Sequence, residues 1–246
     1  MMRVLACLAA AVLLLSATAA EAAGGFANWA AIVVAGDFHA HSGAPSEVFD
    51  NARHDVAGAL VGIGFSPQNV LQFSVRPERY PGDAPHASTP KEIADGLWDL
   101  SNRADGGCLA YFTSHGSPDG IVLGDQLLSP RQMAGIIDNA CGGRPSVVIV
   151  SACFSGVFVP ALQAPERIVL TAAAHDRTSF GCGEADRYNF FDTCALQWLL
   201  PAGNFPDFAK DVIACIRTRE KKERMKPPSR PQLAVGAAAD AIPHWP

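Results

Sequence analysis

The sequence lacks an excess of basic charge, and charged residues of either sign are scarce. It has 19 Lys and Arg against 24 Asp and Glu, a formal net charge of -5, and only 17% of its residues are charged. Proteins that bind nucleic acid normally present a strongly basic face, so we expect no nucleic-acid partner. The one basic stretch, residues 217–230, is expected to be the solvated end of a last helix.

Long apolar runs are also missing, apart from one at the start. Residues 4–15 form an apolar run after the charged Arg3, and residues 20–22 have the small-x-small pattern of a cleavage site. The run is too short to span a bilayer comfortably and is typical of a secretory signal peptide. We therefore expect residues 1–23 to be removed, the exported protein to be periplasmic or secreted, and no stable membrane span to follow.

No two cysteines have the two-residue spacing of a zinc site, and we expect neither a metal nor another cofactor. The HAH sequence at residues 39–41, close to Asp37, is instead expected to border a substrate groove. Export would allow the cysteines of the mature protein to pair. We predict a disulfide between Cys182 and Cys194, which flank a loop. The six cysteines after the signal peptide are Cys108, Cys141, Cys153, Cys182, Cys194 and Cys215.

Three common catalytic motifs are absent. The sequence has no glycine-x-serine-x-glycine element of a serine hydrolase and no glycine-rich phosphate loop with lysine. A cysteine phosphatase loop requires an arginine six residues after its nucleophile, and the residue six after Cys153 is Val159. These three classes of enzyme are therefore excluded.

The sequence does contain two apolar runs that each lead to a reactive side chain. The β-branched run at residues 146–150 predicts a buried strand that leads to Cys153. A similar run at residues 108–113 predicts a strand that leads to His115. Neighbouring strands of a parallel sheet lie about 4.8 Å apart and end at a common edge, where ligands bind. We therefore expect the thiol and the imidazole to come within reach of each other.

Strands and helices alternate along most of the chain. This order predicts an α/β fold with a mostly parallel sheet and helices on both faces. One domain is expected over residues 24–224, followed by a polar tail over residues 225–246. Further strands are predicted at residues 30–36, 69–75 and 167–174, a hairpin around Gly124, and helices from Ser46, Thr89, Ser129, Phe190 and Phe205.

A cysteine and a histidine at one sheet edge can carry out nucleophilic catalysis. The thiolate is the nucleophile, and an imidazole can take its proton and return it to a leaving amine. Small residues such as Gly116 leave room for a substrate, and the backbone N–H groups of Gly116 and Cys153 are the expected oxyanion donors. A free Cys153 leaves five cysteines, so at least one other must be unpaired. A cysteine that ends an apolar strand can also be a small buried hydrophobe, and this alternative stays open.

Four blocks of the sequence, in order, resemble the legumain family of cysteine peptidases in its exported bacterial branch. The resemblance runs from about Ala31 to Leu200 and implies the caspase-like fold, a three-layer αβα sandwich. It also implies a cysteine-type endopeptidase that acts on proteins or peptides without a cofactor. The four blocks are NARHD at residues 51–55, TSHG at 113–116, SAC at 151–153 and TAAAHDRTSFG at 171–181.

The resemblance implies a role for each matching residue. His115 would be the general base and acid, Cys153 the nucleophile, and Asn51 a support for the histidine. Ser151 stands where the family has a pocket glutamate, and a second pocket acid falls near Asp192. The other residues that would line the pocket before the scissile bond are Arg53, His54, Thr178 and Ser179.

The missing glutamate bears on substrate preference. An asparagine side chain needs both an acceptor and donors, whereas an arginine without an acidic neighbour favours a carboxylate through charge-assisted bonds. The sequence therefore predicts cleavage after Asp or Asn, with Asp favoured. Two alternatives stay open: a transamidase or ligase that uses the same acyl-enzyme, and a non-catalytic domain of the same fold whose Cys153 is locked in a disulfide.

Overall fold

The computed structural model describes residues 25–245. The predicted signal peptide, residues 1–23, lies outside the described residues. Within them, no helix is long and apolar enough to cross a membrane. The strands are β1 (Trp29–Ala35), β2 (Val70–Ser74), β3 (His86–Ala87), β4 (Gly107–Thr113), β5 (Gly116–Ser117), β6 (Gly120–Leu123), β7 (Gln126–Leu128), β8 (Ser146–Ser151), β9 (Arg167–Thr171) and β10 (Gln232–Val235).

Seven of these strands form the central sheet, in the order β10-β9-β8-β4-β1-β2-β3. All neighbouring pairs are parallel except β9 and β10, which are antiparallel. Every residue of β1, β4, β8 and β9 is buried, as expected for strands covered on both faces. The remaining strands, β5 to β7, form a small antiparallel sheet, and its turn at Gly124 confirms the predicted hairpin.

Within residues 25–245, six α-helices connect or cover the strands. Thr89 and Ser129 cap α2 and α3 as predicted, each accepting a hydrogen bond from the residue three positions on. Helix α1 begins two residues after the predicted start at Ser46. The helices are α1 (Val48–Gly62), α2 (Pro90–Arg103), α3 (Pro130–Cys141), α4 (Val159–Leu162), α5 (Phe190–Trp198) and α6 (Phe205–Glu223).

The helices lie in two layers because successive side chains of each strand point to opposite faces of the sheet. In β1, Ala31 and Val33 face a cluster that includes α1, α5 and α6. Ile32 and Val34 face a second cluster that includes α2, α3 and α4. The predicted α/β fold, a three-layer sandwich around a mostly parallel sheet, is confirmed.

The C-terminal segment differs from the predicted polar tail of residues 225–246. Its strand β10 extends the central sheet, and the backbone oxygen of Ser229 accepts a hydrogen bond from Ala174 N at 2.8 Å. Trp245 is 5% exposed, and its ring centroid lies 5.1 Å from that of Phe205 and 6.1 Å from that of Phe26. This segment is therefore part of the folded structure, because β10 pairs with the edge of β9 and Trp245 packs into the core.

The disulfides also differ from the prediction. Cys194 is bonded to Cys215, which joins α5 to α6, and a second bridge joins Cys108 of β4 to Cys141 of α3. The predicted bond between Cys182 and Cys194 is therefore wrong. Among the described residues, Cys153 and Cys182 carry free thiols. This agrees with the expectation that a free Cys153 requires a second unpaired cysteine.

Candidate active site

Strands β4 and β8 bring His115 and Cys153 to the same edge of the central sheet. The two strands are parallel neighbours, with Thr113 opposite Ser151. Ser114 N continues the pairing by donating to Ser151 O at 3.1 Å. His115 lies two residues after Thr113, and Cys153 lies two residues after Ser151. Both are half-buried. The predicted convergence at one edge of a parallel sheet is therefore observed.

Gly116 lies directly against the backbone of Cys153. A Cβ atom at this position would be 2.3 Å from the carbonyl oxygen of Cys153, so only glycine fits without displacing the chain. Gly116 lies opposite Ile121 in the hairpin, and Val122 N donates to His115 O at 3.0 Å. In an antiparallel pair with this pattern, the two opposite residues, Gly116 and Ile121, do not hydrogen-bond to each other. The amide of Gly116 is thus directed away from β6.

The backbone amide of Cys153 is a second available donor. Within residues 25–245 it has no hydrogen-bond acceptor. Two N–H groups beside one thiol are the usual means of stabilising the oxyanion of an acyl transfer. The arrangement can therefore supply the two predicted donors.

The imidazole of His115 is held by a backbone carbonyl. Its Nε2 lies 3.0 Å from the oxygen of His39, and its ring packs edge-on against Phe49 with centroids 5.1 Å apart. A carbonyl oxygen only accepts hydrogen bonds, so Nε2 carries the proton of this contact. In the neutral ring, Nδ1 is then the free base. Among the described contacts, the imidazole and the thiol of Cys153 are not hydrogen-bonded to each other, and such bonds often tighten only when substrate is present.

The thiol of Cys153 is held by the loop that follows β9. Ser179 N donates to Sγ at 3.3 Å, and Phe154 N donates to Arg177 O at 2.7 Å. Burial raises the pKa of the Cys153 thiol, and the backbone hydrogen bond from Ser179 opposes this effect. At neutral pH the resting sulfur is therefore a thiol that needs a base to become a nucleophile.

The turn after Cys153 has an unusual backbone. Phe154 adopts the left-handed conformation with φ of 56°, which costs roughly 1–2 kcal/mol for a residue other than glycine. Such conformations persist where surrounding contacts hold them and are frequent at functional sites. Gly156 packs against the backbone of residues 174 and 175, since its Cβ would lie 2.5 Å from His175 N. This small residue serves the packing of the turn rather than access for a substrate.

A buried polar network lies beneath the two reactive residues. The carboxylate of Asp192 accepts hydrogen bonds from Tyr111 at 2.6 Å, Thr113 at 2.5 Å and Asn189 at 2.7 Å. Asn189 also donates to Ser151 at 3.0 Å. Burial raises the pKa of Asp192 to about 6, although these hydrogen bonds lower it. The network joins β4, β8 and α5 just before the positions of His115 and Cys153.

The predicted pocket residues lie in different places. Ser151 and Asp192 belong to the buried network, and Ser179 contacts Cys153. Thr178 is exposed on the same loop as Ser179. Asn51 donates to the backbone oxygen of Arg187 at 3.1 Å, so the structure does not bring its side chain to His115.

Arg53 and His54 line a separate cavity of about 450 Å³ beside α1, which neither His115 nor Cys153 lines. The guanidinium of Arg53 is fully buried and lies 3.0 Å from both Asp50 and Asp83. It also donates to the side chain of Gln72. His54 is exposed and contacts Asp83 at 2.9 Å. The positive charge of Arg53 is therefore already compensated by two carboxylates.

Two features of the site were not predicted. The first is the contact between the backbone carbonyl of His39 and His115, which the residue types in the sequence do not indicate. Cys182 packs against Ala35, Val48 and Phe49, and burial raises the pKa of its thiol to about 12. His41 N donates to Cys182 O at 2.8 Å, so the loop after β1 and the loop after β9 meet over the sheet edge.

Comparisons with known proteins found one similar family and a similar fold. The model of the Peptidase C13 family matches residues 96–205. This range includes β4 and β8, the strands that lead to His115 and Cys153. The fold is similar to that of caspase-1 from Spodoptera frugiperda, with a TM-score of 0.61, 13% sequence identity, and coverage of 86% of this chain and 88% of that chain. No curated protein sequence matches the chain. Residues 96–205 are thus similar to the Peptidase C13 family, and the described residues adopt a caspase-like fold.

Proposed function

We propose that the protein is a cysteine endopeptidase that cleaves after Asn or Asp, with Cys153 as nucleophile and His115 as general base and acid. The observation that carries this proposal is the pairing of β4 with β8, which places the thiol and the imidazole at one sheet edge. The contact of His115 Nε2 with the His39 carbonyl supports it, since the free Nδ1 can accept a proton. Cys153 is not in a disulfide, which speaks against the alternative of a non-catalytic domain with a locked thiol.

The reaction proceeds in two acyl transfers. His115 Nδ1 takes the proton of the thiol as Sγ attacks the peptide carbonyl, and the amides of Gly116 and Cys153 stabilise the oxyanion. The imidazolium then protonates the leaving amine as the C–N bond breaks, which leaves a thioester. Water, deprotonated by His115, attacks the thioester and releases the acid product with the regenerated thiol.

The charges around the site bear on the residue before the cleaved bond. Arg53 lines a separate cavity and is already paired with the carboxylates of Asp50 and Asp83, so it does not favour an Asp substrate. The buried Asp192 adds a further carboxylate beneath the dyad. An uncharged asparagine meets no repulsion in this setting, so we propose Asn ahead of Asp.

The test compares peptides that differ only in the residue before the scissile bond. We expect cleavage after Asn, weaker cleavage after Asp, and a loss of about a thousandfold or more in Cys153→Ala and His115→Ala. Cys182→Ser, which removes the other free thiol, is the matched control and should retain activity. Strong cleavage after Lys or Arg would contradict the proposed preference, and turnover by Cys153→Ala would contradict the mechanism.

We also propose that the protein is exported, to the periplasm or beyond the cell. The two disulfides support this location, because such bonds form and persist in oxidising compartments. N-terminal sequencing of the protein expressed from the full reading frame should locate a new terminus near residue 23. An uncleaved protein retained in the cytoplasm would contradict the proposal.

A further inference from the structure

Asp37 organises the loop that holds the imidazole. It is the second residue after β1, and its side chain is 14% exposed. Its Oδ1 accepts hydrogen bonds from Phe38 N at 2.6 Å and His39 N at 3.1 Å, and it lies 2.7 Å from Nδ1 of His39. One carboxylate oxygen therefore fixes both the backbone and the side chain of His39.

The orientation of His39 matters because its carbonyl oxygen contacts His115. The loop begins beside β4, the strand that leads to His115, because Gly36 N donates to Thr113 O at 3.0 Å. Further along, Ser46 N donates to Phe38 O at 2.8 Å and closes the loop on itself. Between these anchors, Asp37 holds the amide and the ring of His39. The peptide group that carries the His39 oxygen is held on its other side, where Ala40 N donates to Ala44 O at 2.7 Å.

We propose that Asp37 is a positioning residue for the general base, acting through the carbonyl of His39. This inference rests on the proposed function of His115. The carbonyl keeps the proton on Nε2 and leaves Nδ1 free for the thiol proton. Without Asp37, His39 loses the contacts to its amide and its ring and is held only from the carbonyl side, by the bond from Ala40 N to Ala44 O. The His39 carbonyl then shifts, and the imidazole of His115 loses its orientation and its preferred tautomer. The chemical step then slows, whereas binding of the substrate does not change.

Two substitutions separate positioning from charge. Asp37→Ala removes the acceptor, whereas Asp37→Asn keeps an Oδ1 that can accept from both backbone amides. We expect kcat of Asp37→Ala to fall by about 10- to 100-fold with KM within about twofold of wild type. Asp37→Asn should stay within about threefold of the wild-type kcat. Asp99→Ala removes an exposed acid on α2 and should leave both constants unchanged.

A second measurement needs no substrate. Alkylation of Cys153 by iodoacetamide, followed at neutral pH by peptide mass mapping, reports how readily His115 takes the thiol proton. Asp37→Ala should slow alkylation of Cys153 by about tenfold, towards the rate of His115→Ala, while Asp37→Asn restores it. Thermal unfolding of each variant establishes that it is folded.

The outcomes distinguish the two proposals. A wild-type protein that cleaves no peptide contradicts the proposed function, and the alkylation rates still test the role of Asp37. An active wild type with equal kcat and equal alkylation in folded Asp37→Ala overturns the positioning role alone. Equal losses of kcat in Asp37→Ala and Asp37→Asn also overturn it, because Asp37→Asn should keep its activity if an uncharged acceptor is enough.

Discussion

Neutralising Asp192 should change how the stability of the fold depends on pH. The pKa of this buried carboxyl is about 6 in the folded protein, against an ordinary value of 3.8. A difference of this size corresponds to about 3 kcal/mol. The cause is burial without a cation, since the partners of the carboxylate are Tyr111, Thr113 and Asn189.

The sign follows from comparing the folded and unfolded states. Well below pH 3.8 the carboxyl is protonated in both states, and well above pH 6 it is ionised in both. Between these values the folded protein binds the proton more tightly than the unfolded chain, so the stability associated with this group is lost as the pH rises. Asp192→Asn keeps the shape and removes the titration. The difference in unfolding free energy, wild type minus variant, should therefore fall by about 3 kcal/mol between pH 3.8 and pH 7.

Urea unfolding followed by tryptophan fluorescence measures this difference across the pH range, with both disulfides intact. Asp99→Asn controls for the loss of one carboxyl, because Asp99 is exposed on α2. The altered hydrogen bonds of Asp192→Asn should change its free energy of unfolding by the same amount at every pH. They therefore do not affect how the difference between wild type and variant varies with pH. A difference that stays level within about 0.5 kcal/mol from pH 4 to pH 7 would refute the reasoning.

Three other perturbations have defined outcomes. Gly116→Ala places a methyl group 2.3 Å from the backbone oxygen of Cys153, so kcat should fall by about 100-fold in peptide assays. Gly135→Ala, which meets no neighbouring atom, should not lower kcat. Trp245→Ala should lower the free energy of unfolding by about 3–5 kcal/mol in urea titrations, and a loss under about 1 kcal/mol would contradict its burial. Removing the bridge between Cys108 and Cys141, whose sequence separation is 33, should cost about 3–4 kcal/mol, and an unchanged urea midpoint would argue against this.

The strands that position the site could be predicted from local sequence. The run from Val147 to Val150 is β-branched and continuous, as expected for a strand buried on both faces. Helix α3 connects β4 to β8, and strands joined in this way are usually neighbours. The position of His115 and Cys153 at one edge of the sheet could therefore be predicted from chain order and parallel pairing.

Other features depend on contacts between distant parts of the chain. Arg53 is recognisable as a cation, but its neutralisation by Asp83 depends on a loop 30 residues away. The partner of Cys194 lies on the following helix, and cysteine spacing does not determine such pairings. The support of His115 by the carbonyl of His39 involves a group common to all residues, so no side chain indicates it.

The C-terminal segment was missed because its signal is short. Strand β10 has four residues, too few for a clear alternation. Trp245 and Ile242, both buried, are separated from it by small residues and from each other by a proline and a histidine. Their burial reflects the shape of the surface that they cover rather than any local periodicity.

The meeting of Phe26 and Trp245 in one cluster has a consequence for biogenesis. A nascent chain cannot complete this cluster until Trp245 has emerged from the ribosome, well after the segments with His115 and Cys153 have been synthesised. The same delay leaves one edge of β9 unpaired during translation. We therefore expect this part of the core to form late, only after the residues up to Trp245 have been synthesised.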